Sequence, residues 1–286
     1  MNNVVEVRKL TKSFGRVVVV NQVSFSIEAG KIYGLLGRNG AGKTTIMRLI
    51  TAHLFPTSGE VKVFGAPPYE NSRVLSQICA VSDRQKYPNG YRVLDVLEQA
   101  AFFFPHWDRE YAFALIEEFR LPLSAAGVII GLASRAPLTI FDEPYLGLDA
   151  VARSIFYDRL LEDYAEHPRT VIVSTHLIDE VSRLLEHILV IDQGRLVLDE
   201  DAEALRGRAF TVVGPAARVD TFTAGKELLA RSPLGGQVAA TIMGNRNMED
   251  RKQAEALGLS LAPVSLQQLL VHLTSEQSAR KAVEVR

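Results

Sequence analysis

A chain of 286 residues that is 47% apolar and 23% charged has the balance of a folded protein, long enough for one larger and one smaller domain and unlike disordered or fibrous chains. Lysine plus arginine number 32 against 33 aspartates and glutamates, a net charge of −1 with no basic run, which argues against nucleic acid as a partner. The single cysteine, Cys79, rules out an internal disulfide and fits a reducing compartment.

The opening segment MNNVVEVRKLTKSFG has no apolar stretch of signal-peptide length, so the protein is expected not to be secreted. Its longest apolar runs, Val17 to Val20 and Gly127 to Ala133, are far shorter than the ~20 residues that span a bilayer. Any membrane process it serves needs a pore from another polypeptide.

Short β-branched strands are predicted at Val4 to Val7, Val17 to Val20 and Val23 to Ile27, with turns at Ser13-Phe14-Gly15 and Glu28-Ala29-Gly30. A buried strand from Ile32 to Leu36 leads through a glycine-rich loop into a helix from about Thr44 to Leu54. Further strands are expected at Ile78 to Val81, Leu138 to Phe141, Val171 to Ser174 and Ile188 to Ile191, and helices at Ala150 to Tyr164 and Leu177 to Leu185. This alternation implies a mostly parallel sheet with helices on both faces. A helical stretch from about Asp95 to Arg120 carries an aromatic cluster from Phe102 to Trp107, either the core of a small subdomain or part of a groove for a partner helix. Beyond Leu205 a separate small α+β domain is expected, with strands at Ala209 to Val213 and Val238 to Met243 and a helix beginning at Gly225 to Ala230. A last helix is capped by Ser265 with Gln268 three positions on, and its leucine stripe, Leu266, Leu269, Leu270 and Leu273, is expected to contact a second copy.

The strongest chemical signal is the run from Gly37 to Thr44, a full P-loop pattern between a strand and a helix. Its glycines let backbone N–H groups converge on phosphate oxygens, and the following helix points its positive end at the same charge. Gly37, Asn39, Gly40, Ala41, Gly42, Lys43, Thr44 and Thr45 are the expected nucleotide cradle; Lys43 reaches the β- and γ-phosphates and the Thr44 hydroxyl ligates Mg²⁺. A second site follows the strand ending at Phe141, where Asp142 would hold the metal and Glu143 would polarise the attacking water. Taken alone, such an Asp-Glu pair reads equally well as a solvated strand end.

Phe141-Asp142-Glu143-Pro144, then Gly147-Leu148-Asp149, then Ser174-Thr175-His176, in this order after the P-loop, resemble the Walker B motif, D-loop and H-loop of ATP-binding cassette (ABC) ATPases. The resemblance covers about residues 4 to 205. It implies that His176 contacts the γ-phosphate and that Asp149 crosses the interface of a nucleotide-sandwich dimer. Phe14 sits where the family places a ring that stacks on adenine, the other reading being a core phenylalanine at a strand end. The segment from Ile32 to Gly37 and the aromatic helical stretch look most like the drug- and antibiotic-export branch.

Two departures stand out. Where the family has a glutamine that ligates Mg²⁺ and senses the membrane subunit, this chain reads Ser82-Asp83, making Asp83 the candidate metal ligand and Gln85 the fallback. The family's signature, Leu-Ser-Gly-Gly-Gln before the helix that precedes Walker B, has no counterpart; Leu123-Ser124-Ala125-Ala126-Gly127 is out of register with it. Lys43 and Asp142 are 99 positions apart, short of the family by roughly 15 to 20 residues. Either the segment is absent from the molecule, or residues have been left out between neighbours in 120–127, with Leu123 and Ser124 the first choice; these would then lie farther apart than the ~3.8 Å of a trans peptide.

The expected fold is therefore a P-loop α/β core with an N-terminal antiparallel β-layer over residues 1–205, including a helical subdomain at about 84–133, followed by a small α+β accessory domain at 206–286. The expected function is MgATP binding and hydrolysis powering export through a separate membrane-spanning permease subunit. The protein would act as a homodimer or paired cassette, cytoplasmic and peripheral on the inner face of the cell membrane, with no nucleic-acid partner. The alternative is an ATP-binding regulatory module without turnover. A soluble ABC protein acting on ribosomes or DNA fits less well, because the chain has one cassette and no coiled-coil insertion.

Overall fold

The computed structural model describes residues 3–82, 85, 87–119, 126–245 and 247–273. Asp83 and the Leu123–Ser124 junction, where the sequence places a metal ligand and an expected break, lie outside the described residues. The chain divides into two compact units, residues 1–176 with 183–199 and residues 177–182 with 200–286.

The first unit holds two sheets. Strands β1 (Asn3–Phe14), β2 (Val17–Glu28) and β4 (Ser58–Val63) form the antiparallel layer in the order β2-β1-β4. Two separate strands were expected from Val17 to Ile27, yet β2 runs through as one: the polar pair Asn21-Gln22 sits at an irregularity in its pairing, with Gln22 at φ 50°, so it bends the strand instead of ending it. Val23, Phe25 and Ile27 alternate inward and meet Ile46 and Leu49 of α1 (Lys43–Ile50) in the main core. That helix stops four residues short of the expected Leu54, where Ala52 turns left-handed at φ 59°.

The second sheet has the order β5-β6-β7-β3-β8-β9, built from β3 (Ile32–Leu36), β5 (Ile78–Ser82), β6 (Leu138–Asp142), β7 (Thr170–Thr175), β8 (His187–Asp192) and β9 (Arg195–Asp201). The five strands from β5 to β8 are parallel, and every residue of β3, β6 and β7 is buried, which explains their unbroken apolar sequences. The short helix α2 (Ser72–Leu75) leads into β5. The stretch expected to be helical from about Asp95 to Arg120 holds two helices, α3 (Val93–Ala101) and α4 (Arg109–Phe119), parted at Pro105. Helix α5 (Ala126–Ala133) is buried at all eight positions. Its two glycines, one turn apart, let it lie against the sheet: a Cβ on Gly131 would fall 2.2 Å from Phe141 Cε1, and one on Gly127 2.7 Å from Val81 Cγ1.

Helix α6 (Ala150–Glu166) follows β6, and α7 (Ile178–Val181) is much shorter than the run to Leu185 that its sequence suggests. After α8 (Ala202–Leu205), the second unit follows the order β10 (Ala209–Gly214), α9 (Ala216–Thr223), β11 (Leu228–Leu234), β12 (Gln237–Met243), α10 (Met248–Ala256) and β13 (Ser260–Pro263). Its antiparallel sheet, ordered β11-β12-β10-β13, is a βαββαβ plait around Phe210, Val212, Phe222 and Ile242. The helix expected from Gly225 is instead a turn leading into β11, because Gly225 has φ 77° and Leu228 pairs with Ile242; the helix lies earlier.

Residues 266–273 are helical, and the expected capping box is present: Gln268 N donates to Ser265 Oγ (3.2 Å) and Ser265 N to Gln268 Oε1 (3.1 Å). Leu266, Leu269 and Leu270 are already buried and Leu273 is half-buried. Three of the four leucines of the stripe expected to contact a second copy are therefore already buried within the chain, which leaves little of that face for a partner. Among the described residues no helix is long and apolar enough to cross a membrane.

Candidate functional site

Parallel pairing brings three distant pieces of sequence to one edge. Leu36 of β3 is level with Thr175 of β7, and Asp142 of β6 is level with Ser174, so the chain leaves these strands at neighbouring points as Gly37, Glu143 and His176. Ligands of open α/β sheets bind at this carboxyl edge.

The P-loop closes around bare backbone. Gly37 has φ 149°, and a Cβ there would lie 2.2 Å from the Ile191 carbonyl oxygen, so only glycine fits. Ala41 N donates to Arg38 O (3.1 Å), folding the loop back on itself, with Asn39 and Gly40 exposed at its tip. Gly42 precedes α1 with no side-chain cap, which leaves the first N–H groups of the helix for an anion, and Thr44 and Thr45 are half-buried in its first turn. Lys43 is 5% exposed; its Nζ donates to Gly37 O (2.7 Å) and Arg38 O (3.3 Å) and lies 3.5 Å from Glu143 Oε1.

Glu143 carries the backbone strain of the site, a non-glycine residue at φ 53° directly after the strand, and its N–H donates to Ser174 O (3.0 Å). Its Oε2 lies 3.0 Å from His176 Nδ1, and the same nitrogen lies 2.6 Å from the Tyr145 hydroxyl. The geometry thus brings Lys43, Glu143 and His176 into one chain of contacts. Tyr145 was missed by sequence reasoning, since nothing in its spacing indicates that a residue 31 positions before His176 will touch it.

Asp142 is 5% exposed and lines a cavity of about 320 Å³ together with Ser82, Gln85, Met47 and Arg48. Gln85, the fallback metal residue, thus faces the same space as Asp142. The Thr44 hydroxyl and Asp142 carboxylate are hard oxygen donors, and Mg²⁺ takes one or two such ligands plus substrate phosphates. Among the described residues no group of three or more His, Cys, Asp or Glu is arranged for another metal. With a buried lysine, an uncapped helix start and these oxygen donors at one edge, these residues fit MgATP.

Two expected site residues stand apart from this cluster. Phe14 is no core residue: it is 48% exposed at the end of β1, with Lys12 Nζ 5.0 Å from its ring centre. Asp149 caps α6, its Oδ1 accepting from Ala152 N (2.8 Å).

A profile of the ABC transporter family matches residues 20–129. The chain is 32% identical over 228 residues to the bacitracin transport ATP-binding protein BcrA of Enterococcus faecalis, covering 74% of each. It is likewise 32% identical over 222 residues to the Nod factor export ATP-binding protein I of Rhizobium leguminosarum bv. viciae, covering 70% of each. Among solved structures, an ATP-binding subunit of an ABC transporter superposes with a TM-score of 0.63 at 22% identity, covering 71% of this chain and 91% of that one. A dimeric bacterial ABC transporter cassette gives 0.61 at 19% identity, covering 69% and 98%. P-loop, strand-end carboxylates, fold and relatives agree, and the chain belongs to the family of ABC transporter ATP-binding proteins.

Proposed function

We propose that the protein binds and hydrolyses MgATP at the carboxyl edge of its six-stranded sheet and thereby drives export through a separate membrane-spanning permease subunit. The observation that carries this reading is the contact chain from Lys43 through Glu143 to His176, which joins the P-loop cation to a carboxylate and an imidazole in steps of 3.5 and 3.0 Å. On nucleotide entry Lys43 exchanges the Gly37 and Arg38 carbonyls for phosphate oxygens, and the N-terminal amides of α1 hold the remaining charge. Glu143, released from Lys43, then accepts a hydrogen bond from the attacking water, with His176 beside it. Thr44 and Asp142, with Asp83 or Gln85, would hold the Mg²⁺, which would supply positive charge to offset that of the phosphates. Phe14 offers an exposed π-face to adenine.

This chain offers a surface that would suit a permease. Phe102 and Phe103 are 88% and 73% exposed, and beside them Leu94, Leu97, Trp107 and Phe113 line a groove of about 410 Å³ between α3 and α4. Such a groove suits an apolar helix of a partner. Two copies, or a pair of cassettes, would sandwich nucleotide with Asp149 near their interface, on the cytoplasmic face of the membrane. The name of the Nod-factor-export relative supports the export direction, and that of the bacitracin-transport relative supports transport.

Steady-state phosphate release by the purified full-length protein tests the reading: turnover that requires both ATP and Mg²⁺ supports it. The second reading, a regulatory module that binds ATP without turnover, is favoured by the lack of a Leu-Ser-Gly-Gly-Gln segment ahead of α5. The chain's one Gly-Gly-Gln, at 235–237, makes the β11–β12 turn and starts β12, so it does not open a helix. Tight MgATP binding with no phosphate release would establish that reading instead.

A further inference from the structure

We propose that Tyr145 is a positioning residue that fixes the tautomer of His176. Its hydroxyl donates to Nδ1 and so leaves the ring proton on Nε2, from which a hydrogen bond can be donated to a phosphate oxygen. The proposal rests on the reading that MgATP binds at this edge and deepens it.

One ring nitrogen faces two oxygens, Tyr145 Oη at 2.6 Å and Glu143 Oε2 at 3.0 Å. A carboxylate only accepts, so Glu143 is satisfied only if Nδ1 carries the proton; a phenol can donate, so Tyr145 is satisfied when Nδ1 is bare. The two partners favour opposite tautomers. If Glu143 prevails, a neutral His176 presents a lone pair at Nε2 and repels an anionic phosphate. If Tyr145 prevails, Nε2 becomes a donor and Glu143 is free for water. Nucleotide entry tips the balance toward Tyr145, because it places phosphate acceptors near the exposed side of a ring that is 40% accessible and lets the attacking water satisfy Glu143 in place of the imidazole.

Tyr145 is built to hold this bond. It is 3% exposed, its ring meets the imidazole edge-on with centroids 5.4 Å apart at 80°, and its carbonyl is tied by Leu148 N (3.0 Å). The strained turn at Glu143 delivers it.

The experiment is a double-mutant cycle with Tyr145→Phe and His176→Gln in the full-length chain. The phenylalanine keeps the packed ring and removes only the hydroxyl, while the glutamine amide donates whatever its neighbour does. Tyr145→Phe is expected to lower kcat by about 10- to 100-fold, as loss of a partner that orients a histidine does elsewhere, with ATP affinity changed less than about 3-fold. In the His176→Gln background the same change should have no further effect. ¹⁵N NMR of His176 with bound MgATP should show the Nε2–H form in wild type and lose it in Tyr145→Phe. Equal losses in both backgrounds, or an Nε2–H form that survives removal of the hydroxyl, would overturn the proposal. If wild type shows no turnover, the hydrolysis reading fails and the NMR comparison in the nucleotide-bound protein still decides the role of Tyr145.

Discussion

Lys43 and Glu143 touch each other, yet their contacts predict different defects. The Lys43 ammonium is buried, donates to two loop carbonyls and lies 3.5 Å from the Glu143 carboxylate, so in the proposed role phosphate oxygens would take over these contacts. Lys43→Ala should therefore weaken MgATP binding about 100-fold or more, as loss of a buried charge-assisted contact does. Glu143→Gln should leave affinity within about 3-fold and reduce turnover by about 100-fold or more, because the role proposed for the glutamate is on water in the transition state. Calorimetry and phosphate release measure the two; equal loss of binding in both variants would refute the assignment. Cys79 makes a simpler case. Its thiol is 1% exposed and burial pushes its pKa up to about 11, so the reactive thiolate is scarce. An aromatic disulfide reagent at pH 8 should leave it intact in the native protein and label it only after denaturation.

Individual elements are held by contacts that single substitutions can expose. The Asp163 side chain of α6 is 3% exposed and faces two guanidinium groups, Arg169 Nη1 at 2.5 Å and Arg135 Nε at 3.5 Å, with His167 Nδ1 at 3.4 Å. Asp163→Asn would leave the buried Arg169 guanidinium uncompensated and should destabilise the protein by about 3 kcal/mol or more. Urea unfolding would show it as a lower midpoint at unchanged slope; a loss below about 1 kcal/mol would mean that the cluster relaxes or hydrates. Gly131 exposes α5 in the same way. Alanine there needs space that Phe141 occupies, and the phenylalanine, itself edge-on to Phe156 at 5.1 Å, has little room to yield. Gly131→Ala should cost about 1–3 kcal/mol despite alanine's better helix propensity. A stabilised variant would show that α5 is less tightly seated than its contacts indicate.

At the scale of the molecule, the two units have separate cores, but the boundary is not a single cut in the chain. Residues 177–182 belong with the second unit, where Asp179 Oδ2 accepts from Ser265 Oγ (3.2 Å) and Oδ1 from Gln267 N (3.3 Å) at the start of the last helix. A fragment beginning at Glu200 lacks this anchor. It should retain the βαββαβ plait but exchange the amides of residues 266–273 faster than the full-length protein does, as hydrogen–deuterium exchange would reveal. Equal protection in both would mean that the capping box at Ser265 suffices.

The P-loop was legible without a structure because its chemistry is local: eight consecutive residues carry the glycines, the lysine and the hydroxyl. The strand-end carboxylates, and the parallel sheet implied by apolar strands alternating with helices, were legible for a similar reason, since burial on both faces writes unbroken apolar runs. Local patterns failed where pairing decides. Asn21-Gln22 looks like a break yet lies inside β2, Leu228 looks helical yet pairs with Ile242, and the leucine stripe of the last helix looks free yet is covered by its own chain. Propensity along the chain cannot weigh a hydrogen-bonded neighbour that is remote in sequence. The bond from Tyr145 to His176 belongs to the same class, for it exists only because β6 and β7 pair in parallel and end together. Sequence determined which groups the protein can offer to a nucleotide; tertiary structure alone decided which nitrogen, hydroxyl and carboxylate lie within hydrogen-bond reach of one another, because that depends on distances set by the register of the sheet.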